Sequence, residues 1–156
     1  MTITSVQLIQ SLETLANSYT YAPKLIATGQ DNNPILIADI RIEPYSLELT
    51  ENILSSWAQQ SPNIAFQMLA NLQSISIFKK FDTNSVVVIN TTDILNIYEP
   101  DFENTRIFPH YLTTLIEAWL RDILYHWNSQ HPPAEKELNT IGFLTLFDNG
   151  WIQSID

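Results

Sequence analysis

The sequence predicts a single α/β domain over residues 1–156, with a mixed central sheet flanked by helices and a long C-terminal amphipathic helix. Three observations lead there. The run Pro34-Ile-Leu-Ile-Ala-Asp-Ile-Arg-Ile42 is apolar for five residues after its proline, as a strand covered on both faces requires. Leu112, Leu115, Ile116, Trp119, Leu120, Ile123, Leu124 and Trp127 recur at intervals of three and four, the period of one helix face. Around these two segments, short apolar runs bounded by polar turns alternate with further helical stripes.

In chain order, Val6, Ile9, Leu12, Leu15 and Ala16 predict a helix over 5–17, capped by Thr4 or Ser5. A strand is expected over 19–28, then the turn Gly29-Gln-Asp-Asn-Asn33, then the apolar strand. Pro34 can open a strand but cannot occupy its middle, and Glu43-Pro44 ends it. Thr50 to Gln60 reads as a helix with Ile53, Leu54, Trp57 and Ala58 on one side. Residues 64–70 fit either a strand or a helix. Residues 75–81 and 86–89 predict two strands, and Thr91-Thr92-Asp93 a cap for a short helical turn. Pro109 suits the first turn of the long helix, and Glu117 and Arg121 are spaced to pair on its outer side. Pro132-Pro133 must stop that helix. A C-terminal extension follows from about residue 129, with a hairpin expected between 141–147 and 151–155 around Asp148-Asn149-Gly150.

Bulk properties narrow the function classes. At 156 residues and 45% hydrophobic, the chain can bury a core without staples. It has no cysteine, which excludes disulfides, thiolate metal sites and a cysteine nucleophile. Seventeen acidic residues against seven basic ones give a net charge of −10. That field disfavours nucleic acid and acidic membranes, whose binding needs Lys and Arg to displace counterions. It fits a protein partner or self-association. The amino terminus lacks signal-peptide character and no apolar run could span a bilayer, so no membrane contact and a cytoplasmic location are expected.

The segment from Pro23-Lys24 through Gly29-Gln-Asp-Asn-Asn33 to Asp39-Ile40-Arg41 resembles the core hairpin of the PD-(D/E)xK nucleases, which have the restriction-endonuclease-like fold. A closer resemblance is to a set of small cyanobacterial proteins of unassigned role. Their pattern is a Pro-Asp strand, a short polar turn and an apolar strand ending in Glu-x-Lys. Trp57-Ala-Gln59-Gln60 and Tyr111-Leu-Thr-Thr-Leu-Ile-Glu-Ala-Trp-Leu-Arg-Asp122 also resemble theirs. The resemblance implies a site in which two strand carboxylates hold Mg²⁺, the metal activates water, and a lysine assists.

Here Asp39 matches the second acid and Arg41 the lysine, while Lys24 stands where the first acid belongs. Arg41 keeps the charge but cannot serve as a base. Strand alternation sets Asp39 and Arg41 on one face. The expected arrangement is an ion-paired Lys24–Asp39–Arg41 cluster with no metal and no cofactor. Glu13, Gln59 and Gln60 are second-tier candidates. The function expected is a non-catalytic interaction or assembly protein on a degenerate nuclease-like scaffold. The alternative is a Mg²⁺-dependent nuclease acting on DNA or RNA through Asp39 and Arg41.

Other motifs read as structural. His126 is spaced to pair with Asp122 on the long helix. Glu99, Asp101 and Glu103 lack the glycine and terminal glutamate of a calcium loop. Only three glycines are present, and none forms a phosphate-cradling loop. Lys79-Lys80 between Phe78 and Phe81 is expected to guard a sheet edge.

Overall fold

The computed structural model describes residues 21–155, so the expected helix over 5–17, with Glu13, lies outside the described residues. Among the described residues, six strands form one mixed sheet: β1 (Leu25–Thr28), β2 (Pro34–Ile40), β3 (Phe66–Ala70), β4 (Ser74–Lys79), β5 (Val87–Asn90) and β6 (Trp151–Ser154). Their spatial order is β5-β4-β3-β2-β1-β6. Of these strands, β2 and β3 run parallel, joined through helix α1 (Leu47–Gln60). Every other neighbouring pair is antiparallel.

The sheet is apolar on both faces. Ile26, Ile37, Leu69 and Phe78 pack with Ile53, Leu54 and Trp57 of α1. Leu25, Leu36, Ala38, Ile40, Phe66 and Met68 face the other helices. These are α2 (Thr91–Leu95), α3 (Pro109–Tyr125), α4 (Glu135–Thr140) and α5 (Phe143–Phe147). Residues of β2 and β3 are therefore buried on either side, which is why β3 shows no alternation and its sequence fitted two assignments.

Helix α3 bears out the stripe but is 17 residues long, begins with Pro109 in its first turn and ends before Trp127. His126 closes it in the left-handed conformation at φ 52°. It is not the last element: α4, α5 and β6 follow, and Leu138, Phe143 and Phe147 join the core beneath α3. Glu117 and Arg121 pair at 2.6 Å as their spacing predicts.

Three assignments change. The expected strand over 19–28 begins only at Leu25, because Pro23 has no N–H for a ladder and the first bond to β2 is Lys24 N–H to Ala38 O, at 2.7 Å. The hairpin over 141–155 is replaced by helix α5 followed by β6, which pairs with β1. Phe143 and Phe147, four apart, meet with their rings tilted at 50° and centroids 5.0 Å apart, and both are buried, so helical spacing serves the core here. Gly150 makes the approach to β6 feasible, since a Cβ there would lie 2.0 Å from Thr28 O. Finally, Lys79 and Lys80 do not guard an outer edge. Lys79 ends β4 and Lys80 follows it, on an inner strand that β5 covers only from Ser74 to Ile77.

Candidate functional site

Asp39 is the second-last residue of β2, and alternation places it on the α1 face with Ile37. It is buried at 3% exposure. A carboxylate in that position needs partners, and two donors converge on one oxygen. Arg41 Nε donates to Asp39 Oδ2 at 2.6 Å, and Tyr45 Oη donates to the same atom at 2.7 Å. Arg41 is held by its own backbone, because its N–H extends the parallel ladder to Ala70 O at 3.0 Å.

Tyr45 reaches the site through a helix cap. The chain bends at Ile42 and Glu43, just past β2. Ser46 then caps α1, its side chain accepting from Leu49 N–H at 3.0 Å. Tyr45 is the residue before the cap, and it packs inward with Leu49 against the α1-face cluster. Its hydroxyl also lies 3.1 Å from both Asp39 O and Ala70 O. The phenol has one proton, so the shortest and charged contact, to the carboxylate, takes it. Arg41 lies over the Tyr45 ring at 5.3 Å, closing a triangle of three side chains.

The electrostatics follow from that triangle. Burial, then the neighbouring Asp39 charge, pushes the Tyr45 hydroxyl far above the ordinary tyrosine range. The hydrogen bond to Asp39 raises Arg41, against the opposing effect of its partial burial. Both groups are thereby held in the protonated form that donates to the carboxylate.

The other expected site residues are placed elsewhere. Lys24 is exposed, and among the described residues no carboxylate lies within ion-pair distance of its ammonium. It precedes the first residue of β1, outside the strand. It lines a cleft of about 430 Å³ with Ile40, Pro109, His110, Thr113 and Glu117, against the start of α3. The expected Lys24–Asp39–Arg41 cluster is therefore an Asp39–Arg41–Tyr45 cluster.

Gln59 and Gln60 are also remote. They end α1, and Gln60 lines a groove with Pro34 and Ala65, at the opposite end of β2 from Asp39. A helix of 14 residues spans roughly 21 Å, which sets the scale of that separation. Among the described residues, no group of three or more His, Asp or Glu side chains is arranged to hold a metal ion.

A second buried carboxylate lies away from this site. Asp122, fully buried on α3, does not pair with His126. Its Oδ1 accepts from the backbone N–H groups of Asn128 and Ser129 at 2.9 and 3.0 Å, and Oδ2 from Tyr98 Oη at 2.6 Å. Burial works to raise Asp122, and these hydrogen bonds outweigh it and hold the carboxyl below its usual range. His126 instead lies 3.2 Å from Glu135, across the turn into α4. The left-handed cap at His126 explains the exchange: the chain reverses there and brings residues 128 and 129 back onto the helix end.

Tyr45 and Tyr98 escaped sequence reasoning. Starting α1 at Thr50 hid the Ser46 cap, and with it the inward direction of Tyr45. Ser46 before an apolar stripe was the available signal. Tyr98 had none, because its partner is 24 residues away. Comparison of the chain with protein-family models, curated proteins and solved structures finds no match to any of them.

Proposed function

We propose that the chain is a non-catalytic interaction or assembly protein, built on a restriction-endonuclease-like scaffold with the site at the end of β2 closed to chemistry. The observation that carries this reading is the occupancy of Asp39. Its buried carboxylate is taken up by Arg41 and Tyr45, at 2.6 and 2.7 Å on one oxygen.

A nuclease needs that carboxylate for Mg²⁺. The guanidinium opposes such an ion by about 4 kcal/mol per unit charge at ~4 Å and an effective dielectric of ~20. Lys24, where the first acid belongs in the resembled motif, adds a second cation at the same end of the hairpin. The net charge of −10 further opposes approach of a polyanionic substrate. A surface that binds protein is compatible with all three features.

Calorimetric titration with Mg²⁺ tests the reading. The wild-type chain and Asp39→Ala should give superposable traces. A saturable heat that vanishes in Asp39→Ala, with salt-sensitive DNA or RNA binding in a gel shift, would instead establish the nuclease reading through Asp39 and Arg41.

A further inference from the structure

We infer that Asn149 is a self-modification site gated by β6. The folded turn withholds the Gly150 backbone nitrogen from the Asn149 carboxamide, and opening of β6 lets the two close to a succinimide. This chemistry is independent of the Asp39 site.

Asn149-Gly150 is the one Asn-Gly step in the sequence. Asparagine is a labile residue, because the amide nitrogen that follows it can attack its Cγ. A glycine in the next position obstructs that attack least, having no Cβ. The Gly150 nitrogen gives its proton to hydroxide and forms a bond to Asn149 Cγ. The Cγ–Nδ2 bond breaks, and the side-chain nitrogen leaves as ammonia with a proton from water. Water then opens the imide ring at either carbonyl. Opening at Cγ leaves aspartate. Opening at the main-chain carbonyl leaves isoaspartate, whose backbone runs on through Cβ and Cγ. Nothing is oxidised or reduced, and one amide becomes one carboxylate.

The fold blocks the first step. Asp148 has φ −55° and ψ 132°, Asn149 has φ 56°, and Gly150 N–H donates to Phe147 O at 2.9 Å. These are the marks of a type II turn, in which Asn149 takes the position that needs positive φ and has ψ of about 0°. At that ψ the Gly150 nitrogen points away from the Asn149 side chain, so their shared peptide must rotate before attack. Asn149 is exposed to water, but Gly150 is buried and held. Its N–H is occupied by Phe147 O. Its C=O accepts from Tyr125 Oη at 3.2 Å. Its Cα sits so close to β1 that an added Cβ would overlap Thr28 O.

Rotation of that peptide therefore requires β6 to leave β1. Among the described residues, β6 is a four-residue outer strand paired with β1 alone. Such a strand opens more readily than the whole fold unfolds. Isoaspartate then lengthens the backbone just before Gly150, where the fit against Thr28 and Phe147 leaves no slack. The modified β6 does not return to its register on β1.

Peptide mapping by mass spectrometry tests this on the full chain, kept at neutral pH either folded in buffer or unfolded in urea. Isoaspartate at position 149 should accumulate about tenfold or more slowly in the folded chain. Tyr125→Phe removes the bond to Gly150 O and leaves the reacting atoms untouched. It should speed the folded reaction by about threefold, with a matching rise in hydrogen exchange at the Gly150 amide, and leave the rate in urea unchanged. Asn149→Gly keeps the positive φ and should yield no product at this position.

A folded chain that reacts at Asn149 as fast as the unfolded one overturns the inference, as does an unfolded chain that does not react there. So does faster Gly150 exchange in Tyr125→Phe without faster modification. A purified isoaspartate form whose β6 amides stay protected from exchange overturns the claim that β6 cannot return.

Discussion

Tyr45 Oη donates to Asp39 Oδ2 across 2.7 Å, tying the residue before the α1 cap to the end of the parallel strand pair. Removing that hydroxyl leaves Arg41 as the remaining donor to a buried oxygen among the described residues. Tyr45→Phe should cost about 2 kcal/mol, the range for a hydrogen bond to a charged acceptor. Urea unfolding checks this through a lower midpoint at unchanged slope.

Arg41 and Asp39 should behave as a coupled pair. Arg41→Ala leaves a buried carboxylate without its cation, and should cost roughly 2–4 kcal/mol. In the Arg41→Ala background, Asp39→Asn should restore part of that loss, because the neutral amide needs no cation. A double-mutant cycle by urea unfolding should show a coupling of about 1 kcal/mol or more. Strict additivity would mean that the 2.6 Å pair contributes nothing.

Alkaline pH should weaken the fold through Tyr45. Its folded pKa is raised, so the native chain keeps a proton that the unfolded chain releases above about pH 10. The contribution is complete below that pH. Above it, stability falls by up to about 1.4 kcal/mol per pH unit from this group. Tyr98, raised by burial and by Asp122, works in the same direction. Stability measured against pH should fall less steeply above about pH 10 in Tyr45→Phe than in wild type.

Acid should act through Asp122. Its folded pKa is lowered, so its contribution is present above the unfolded carboxylate value, near 3.9, and is lost as pH falls through the folded value. Asp122→Asn should lower stability at neutral pH and remove part of the acid transition seen by circular dichroism.

Two glycines should respond differently to alanine. At Gly150 a Cβ would meet Thr28 O at 2.0 Å and Phe147 O at 2.8 Å, both backbone atoms. Gly150→Ala should cost about 3 kcal/mol, the upper range for overpacking, because β6 must shift from β1. At Gly142 nothing lies within 4 Å, but φ is +85°. Gly142→Ala should cost only about 1–2 kcal/mol, the penalty for a left-handed residue. Thermal midpoints in the order wild type, Gly142→Ala, Gly150→Ala check both.

Legibility in the sequence followed the range of the interactions. The apolar run of β2 and the stripe of α3 announce themselves, because each pattern arises within one element. The Asp39–Arg41 pair was legible for the same reason: residues two apart on a strand share a face. Residues 141–147 misled because an apolar run just before Asn149-Gly150 reads as the first arm of a hairpin. Their helix is decided by the chain turning at Gly142 and by the Phe143–Phe147 contact inside the core. Lys24 was misplaced because its partner depended on where β1 starts. Lys79 and Lys80 fall on an inner strand, past the stretch that β5 covers, because strand order belongs to the sheet as a whole.

By itself, the sequence determined an apolar strand ending in a paired aspartate and arginine, a long amphipathic helix, and an acidic surface with no thiol chemistry. Those follow from periodicity, composition and contacts between near neighbours. Only the tertiary structure decided that a tyrosine six positions on completes the Asp39 site, that Lys24 lies in a different cleft, and that β5 is left as an outer strand. The physical reason is that a buried carboxylate takes whichever donors the fold carries to it. The fold is closed by pairings such as β6 on β1, between segments more than a hundred residues apart.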